Sequence, residues 1–81
     1  MYYTYVLKSK KDKNLYVGFT RDLKRRFIKH NKGLIRSTGK RRPLILVYYE
    51  ACRNKQDAAR REKSLKTGFG RAYLKRRLSD I

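Results

Sequence analysis

Tyr16-Val17-Gly18-Phe19-Thr20-Arg21-Asp22-Leu23-Lys24-Arg25-Arg26-Phe27-Ile28-Lys29-His30-Asn31-Lys32-Gly33 is the stretch on which the fold of this chain turns. It reads as the end of a strand, a tight turn and a helix. Thr20 is the expected N-cap, Asp22 falls in the first turn where negative charge suits the helix dipole, and Gly33 is placed to end the helix. At about 100° per residue, Leu23, Phe27 and Leu34 share one narrow stripe, the expected core face. Arg26 and His30 fall within that stripe, whereas Lys24, Arg25, Ile28, Lys29 and Lys32 point elsewhere. Turning an arginine and a histidine, one turn apart, toward the protein interior is costly unless something there needs them.

Working outward, Tyr2 to Leu7 is rich in aromatic and branched residues and reads as a strand. Its odd residues Tyr3, Tyr5 and Leu7 share one face, and Tyr2, Thr4 and Val6 the other. A polar turn, Lys8 to Asn14, leads to a second strand, Leu15 to Phe19. An antiparallel hairpin is the simplest pairing, and it brings Tyr5 and Tyr16 into one neighbourhood. Beyond the helix lies a basic, glycine-punctuated loop from Leu34 to Arg42 containing Ser37, Thr38 and Gly39. Pro43 ends it.

Leu44-Ile45-Leu46-Val47-Tyr48-Tyr49-Glu50 is the most apolar run and predicts a central strand buried on both faces. Asn54 is the expected cap of a second helix, with Asp57 in a capping-box-like position. That helix runs from about Lys55 to Lys66 or Thr67 and is stopped by Gly68. Its inward stripe is Ala58, Glu62, Leu65 and, just past the end, Phe69. A last helical segment, Arg71 to Leu78, presents Leu74 and Leu78 inward and Lys75 and Arg76 outward. The order β-β-α-β-α-α predicts an α+β fold, one small sheet with helices against it, in a single domain over residues 1–81.

Composition narrows the function. Lys plus Arg number 24 against 6 Asp plus Glu in 81 residues, a formal charge of +18. Self-repulsion of that size destabilises a compact state and suits a polyanionic partner. Ten aromatic residues and clear strand periodicity argue against disorder. Nothing resembles a signal peptide or a spanning segment, so the expected location is cytoplasmic. One cysteine excludes an internal disulfide and, with one histidine, argues against structural zinc. Cys52 reads as a small core residue, and Tyr2, Tyr48, Tyr49 and Tyr73 as sheet and rim residues.

Three polar groups therefore lie on apolar faces: Arg26, His30 and Glu62. One reading is structural, a buried Arg26–Glu62 salt bridge with a hydrogen-bonded His30. The other is a shallow site in which Glu62 holds a divalent cation. Residue pattern alone leaves both open.

Tyr3-Thr4-Tyr5 ahead of Tyr16-Val17-Gly18 resembles the two tripeptides that name the GIY-YIG nuclease superfamily. Leu23-x-x-Arg26-x-x-x-His30-Asn31-x-Gly33 and Glu62-Lys63-x-x-Lys66 resemble the arginine-helix and glutamate-helix motifs of its small stand-alone members. The nuclease domain of the excision-repair endonuclease is similar too. Tyr3 stands where the family has glycine, a variation the small members share, and Gly68-Phe69-Gly70 replaces the usual bulky aromatic after the glutamate helix.

The resemblance implies a three-stranded antiparallel sheet flanked by helices and a metal-dependent DNA endonuclease. Tyr5 and Tyr16 would orient or deprotonate the attacking water, Arg26 would contact the scissile phosphate, and His30 would lie near the nucleophile. Glu62 would bind Mg²⁺ or Mn²⁺. Gly18 would let the chain approach the site closely, and Asn31 would support it. Lys24, Arg25, Lys29 and Lys66 are expected to track phosphates of DNA, with RNA left open. Such chemistry builds negative charge on phosphate oxygens, which a guanidinium and a divalent cation stabilise. Tyr5, Tyr16 and His30 all remain open as the base. No DNA-reading module accompanies the domain, which suits structure or strand selectivity in repair, recombination or DNA processing. A monomer or weak dimer is expected. The alternative is a nucleic-acid-binding module that keeps the fold without the catalysis.

Overall fold

The computed structural model describes residues 1–79. Its elements are β1 (Tyr2–Ser9), β2 (Leu15–Thr20), α1 (Leu23–Asn31), β3 (Leu44–Cys52), α2 (Lys55–Leu65) and α3 (Gly68–Arg77). The α+β class and the β-β-α-β-α-α order are those the sequence predicts. One antiparallel sheet has the order β2-β1-β3. Tyr5 pairs with Gly18 and Leu7 with Tyr16 across the hairpin.

The strand at the centre is β1, not the apolar run. Leu44–Cys52 pairs only with β1 and forms an edge, where Tyr49 is 54% exposed. A bulge explains why its sequence looks doubly buried. Val6 pairs with Tyr48 and Leu7 with Leu46, so Val47 has no partner across the strand. The extra residue swaps the faces that follow it. Leu44 and Leu46 pack with Tyr5 and Leu7, whereas Val47 and Tyr48 pack with Val6.

The two sheet faces carry separate cores. Under α2 and α3 lie Val6, Val17, Leu65 and Leu74, with Ala58 also fully buried. The opposite face gathers Tyr5, Leu7 and Leu44, covered by Tyr16 and by Leu23 and Phe27 of α1. Beside the first core runs a polar network. Arg61 grips the Glu50 carboxylate through Nε at 2.9 and 3.0 Å and Nη2 at 2.8 Å. Tyr48 donates to Glu50 at 2.6 Å and shares a 2.9 Å hydrogen bond with Tyr73, on whose ring the Arg61 guanidinium stacks. Burial raises the Glu50 pKa, but Arg61 and Tyr48 outweigh it and the carboxyl ends below its usual value.

Several helix ends differ from expectation. Asp22, not Thr20, caps α1: its Oδ1 accepts from Arg25 N at 3.1 Å. Thr20 still belongs to β2 and its hydroxyl accepts from Asp22 N at 3.2 Å. Gly33 ends α1 as predicted, at φ 76°, with Gly33 N bonded to His30 O and Leu34 N to Lys29 O. That paired pattern turns the chain off the helix axis. Leu34 consequently leaves the core stripe and is 66% exposed.

Lys66, not Gly68, closes α2, and Thr67 caps α3 by accepting from Gly70 N at 3.2 Å. Asn54 does cap α2 by position, but its side chain bonds Asp57 at 3.4 Å rather than a backbone amide. Phe69 therefore lies on α3 rather than on the α2 stripe, and is 90% exposed. At Gly70 a β-carbon would sit 2.3 Å from Ser64 O and 2.4 Å from Leu65 Cα, so the α2–α3 corner closes only around glycine. Leu74 is buried and Leu78 half-buried, as predicted. Cys52 is half-buried on the edge strand rather than in a core. Among the described residues no helix is long and apolar enough to cross a membrane.

Candidate active site

The hairpin register assembles the site. Tyr5, on the central strand, faces α1, and its cross-strand partner Gly18 leaves room for its ring. A β-carbon at Gly18 would fall 2.6 Å from Tyr5 Oη and 2.8 Å from Cζ. Only glycine fits there. Tyr16 sits two residues earlier on the same face, its ring centroid 6.5 Å from that of Tyr5. From α1, His30 brings its ring to 5.7 Å from Tyr5 and 5.1 Å from Tyr16, edge-on to both.

Hydrogen bonds lock this cluster. Tyr5 Oη lies 2.8 Å from His30 Nε2, and His30 Nδ1 lies 2.7 Å from Thr38 Oγ1. His30 and Thr38 are fully buried and Tyr5 nearly so. Burial first, and the Arg26 charge second, push the His30 pKa down to about 4, so the ring is neutral near pH 7. Burial also raises the Tyr5 phenol, while the adjacent Arg26 guanidinium opposes that rise and the Glu62 carboxylate adds to it.

Arg26 and Glu62 do not pair with each other. Glu62 Oε2 takes Lys66 Nζ at 3.1 Å, one turn along α2. Arg26 Nε is buried without a hydrogen-bond partner. The structural reading, an Arg26–Glu62 bridge, is thus absent among the described residues. Nor do three His, Cys, Asp or Glu side chains converge among those residues. Glu62 is a lone carboxylate with 19% of its side chain exposed. Such a ligand fits an ion like Mg²⁺, which keeps most of its waters and takes one or two protein carboxylates.

The other predicted residues divide. Asn31 does not face the cluster. Its side chain donates to Leu44 O and accepts from Leu44 N, both at 2.8 Å, clamping the end of α1 to the start of β3. Lys24, Arg25 and Lys29 line a depression along α1 with Ile28 and Lys32, apart from Tyr16 and Glu62. Lys66 lies in the other basic region. With Lys13, Arg71 and Lys75 it walls a groove of about 690 Å³ that includes Tyr16.

Thr38, Arg71 and Lys75 are absent from the sequence-based set. The two cations carry a weak signal, their shared flank of α3. Thr38 carries none, because a loop contact across eight residues has no periodicity to betray it.

A tyrosine pair, a half-buried arginine, a neutral histidine and one carboxylate are thus set along a β-hairpin and two helices. The family model described as the GIY-YIG catalytic domain matches residues 1–78, and the chain belongs to that family of nucleases. A UPF0213 protein of Staphylococcus saprophyticus is 43% identical over 75 residues, covering 91% of this chain and 90% of its own length. One from Staphylococcus haemolyticus is 42% identical over the same coverage. The solution NMR structure of a UPF0213 protein from Bacillus halodurans superposes with a TM-score of 0.56 at 35% identity, covering 91% of this chain and 82% of that one.

Proposed function

We propose that this protein is a divalent-metal-dependent endonuclease that hydrolyses a phosphodiester bond in DNA, in a cytoplasmic repair, recombination or processing role. One observation carries the reading: Arg26 Nε is buried, charged and without a partner beside the Tyr5 hydroxyl. Buried polar groups are almost always satisfied, and a buried guanidinium N–H left without a partner is best satisfied by an anion from outside. A scissile phosphate supplies one.

Arg26 would hold a non-bridging oxygen and neutralise charge as it builds in the transition state. Tyr5 and Tyr16 would orient the attacking water and relay its proton, with Glu62 placed to hold Mg²⁺ or Mn²⁺. When bound there, the cation stabilises the phosphate and the departing oxygen. Lys13, Lys66, Arg71 and Lys75 would receive flanking phosphates in the groove beside Tyr16, and the net charge of +18 would drive strongly salt-dependent association.

Labelled single-stranded and duplex DNA, incubated with Mg²⁺, Mn²⁺ or EDTA, tests this beside Glu62→Ala. Metal-dependent cutting that disappears in the variant supports the nuclease. The Lys66 ion pair at Glu62 favours a second reading, a binding module whose carboxylate only anchors a lysine. Salt-sensitive binding without cutting in either metal would establish that one instead.

A further inference from the structure

We infer that the cleft between α1 and the edge strand β3 is a second nucleic-acid site, a slot in which an unpaired base lies against Tyr49 while its flanking phosphates meet Arg21 and Lys24. This rests on the nucleic-acid half of the reading above and not on cleavage.

Half-buried Leu23, Phe27 and Leu46 line a cleft of about 720 Å³ together with Tyr3 and Tyr49. The two tyrosine rings meet edge-on, 6.1 Å between centroids at 62°, which steadies Tyr49 although it is 54% exposed. Arg21 and Lys24 also line the cleft, both exposed, and among the described residues neither enters a salt bridge. The one carboxylate of the lining, Asp22, is engaged as the α1 cap, its Oδ1 accepting from Arg25 N at 3.1 Å.

The lining sets the chemistry of the occupant. Apolar and aromatic side chains beside two cations suit a flat apolar group with negative charge next to it. A nucleotide has that form: bases stack on aromatic rings whatever their sequence, and phosphates answer the cations. The base has to be unpaired, because a paired one keeps its faces inside the duplex stack. Position separates the slot from the candidate active site. Tyr5 pairs with Gly18 on one side and Tyr49 on the other, so the tyrosine cluster lies toward β2 and the slot toward β3. The slot shares no lining residue with the groove beside Tyr16. Lys24 instead joins it to the depression along α1 that holds Arg25, Lys29 and Lys32, cations for which that groove has no use. A strand with a base in the slot thus lays its backbone along α1.

Binding in EDTA, followed by anisotropy at one fixed salt concentration, tests this with labelled probes of equal length: oligothymidylate, duplex DNA and an abasic deoxyribose-phosphate strand. Tyr49→Ala is expected to weaken oligothymidylate binding about 10-fold, the scale of losing one stacked base, and to leave the other two unchanged. Tyr49→Phe should bind all the probes as the wild type does. Irradiated 5-iodouracil in the same single strand should crosslink to Tyr49 or Tyr3. Unchanged oligothymidylate binding in Tyr49→Ala overturns the slot, and so does an equal loss for every probe, which marks a surface that only tracks phosphates. Base-dependent binding through Tyr49 in a protein that cuts no DNA in either metal upholds the slot and overturns the nuclease reading alone. Should Tyr49→Ala fail to fold, the wild-type crosslink decides, since adducts confined to other residues overturn the proposal.

Discussion

The two faces of the sheet solve opposite problems with the same three strands. Under α2 and α3, Val6, Val17, Leu65 and Leu74 form a dry core, and the polar groups beside it satisfy one another through Glu50, Arg61, Tyr48 and Tyr73. Under α1, Leu7, Leu44, Leu23 and Phe27 pack beside Tyr5, Tyr16 and His30, and one charged nitrogen, Arg26 Nε, has no partner. The first face holds the fold. The second keeps an unmet hydrogen bond that a phosphate would complete. The difference teaches that polar burial here serves stability where it is closed, and that the proposed function rests where it is incomplete.

The strongest test sets one residue from each face side by side. Arg26→Ala should reduce cleavage by about 10³-fold, the upper range for losing one charge-stabilising donor, with little change in thermal unfolding. Leu74→Ala should do the reverse, lowering stability by about 3 kcal/mol while the folded fraction cuts normally. Equal unfolding by both would erase the distinction.

Acid probes the α1 face next. His30 titrates near 4 in the folded protein against an ordinary value of 6.5. Its contribution is fully present above about pH 6.5 and is lost as pH falls toward 4, a span of about 3 kcal/mol at about 1.4 kcal/mol per unit. Denaturant midpoints measured from pH 7 to 4 should fall in the wild type, and that part of the fall should vanish in His30→Gln.

Gly18→Ala comes third. The added carbon meets the Tyr5 ring and hydroxyl, so about 1–3 kcal/mol of stability should go together with most of the activity. A variant that melts and cuts normally would show that Tyr5 can move aside. The smallest effect is expected at Glu50→Gln. Its ion pair with Arg61 is about a third exposed on each side, so about 1 kcal/mol should be lost and cleavage retained.

The hairpin, the helices and the meeting of Tyr5 with Tyr16 are visible in the sequence because strand and helix periods declare them. Leu34 and Phe69 mislead for one reason: each lies in phase with a stripe whose helix has already ended, Leu34 past Gly33 and Phe69 past Lys66. The β3 run misleads differently. A bulge at Val47 lets consecutive apolar residues serve first one face and then the other, which imitates a strand buried on both. Thr38 is invisible to such reading, since it reaches His30 through the path of a loop. Asn31 enters the candidate set through the family resemblance as a supporting residue, and its side chain bonds the backbone of Leu44.

That turn has a wider consequence. Asn31 offers Leu44 the donor and acceptor that an adjoining strand would offer, and so shuts residues 32–43 into a ring closed at its neck. A ring fastened there tolerates change around its rim. Arg36, Ser37 and Lys40 are exposed on that rim, while Thr38 between them points inward. New side chains, or added length, at those outward positions would alter what the protein touches without loosening α1 or β3. This loop is where a small domain of fixed interior has room to diversify.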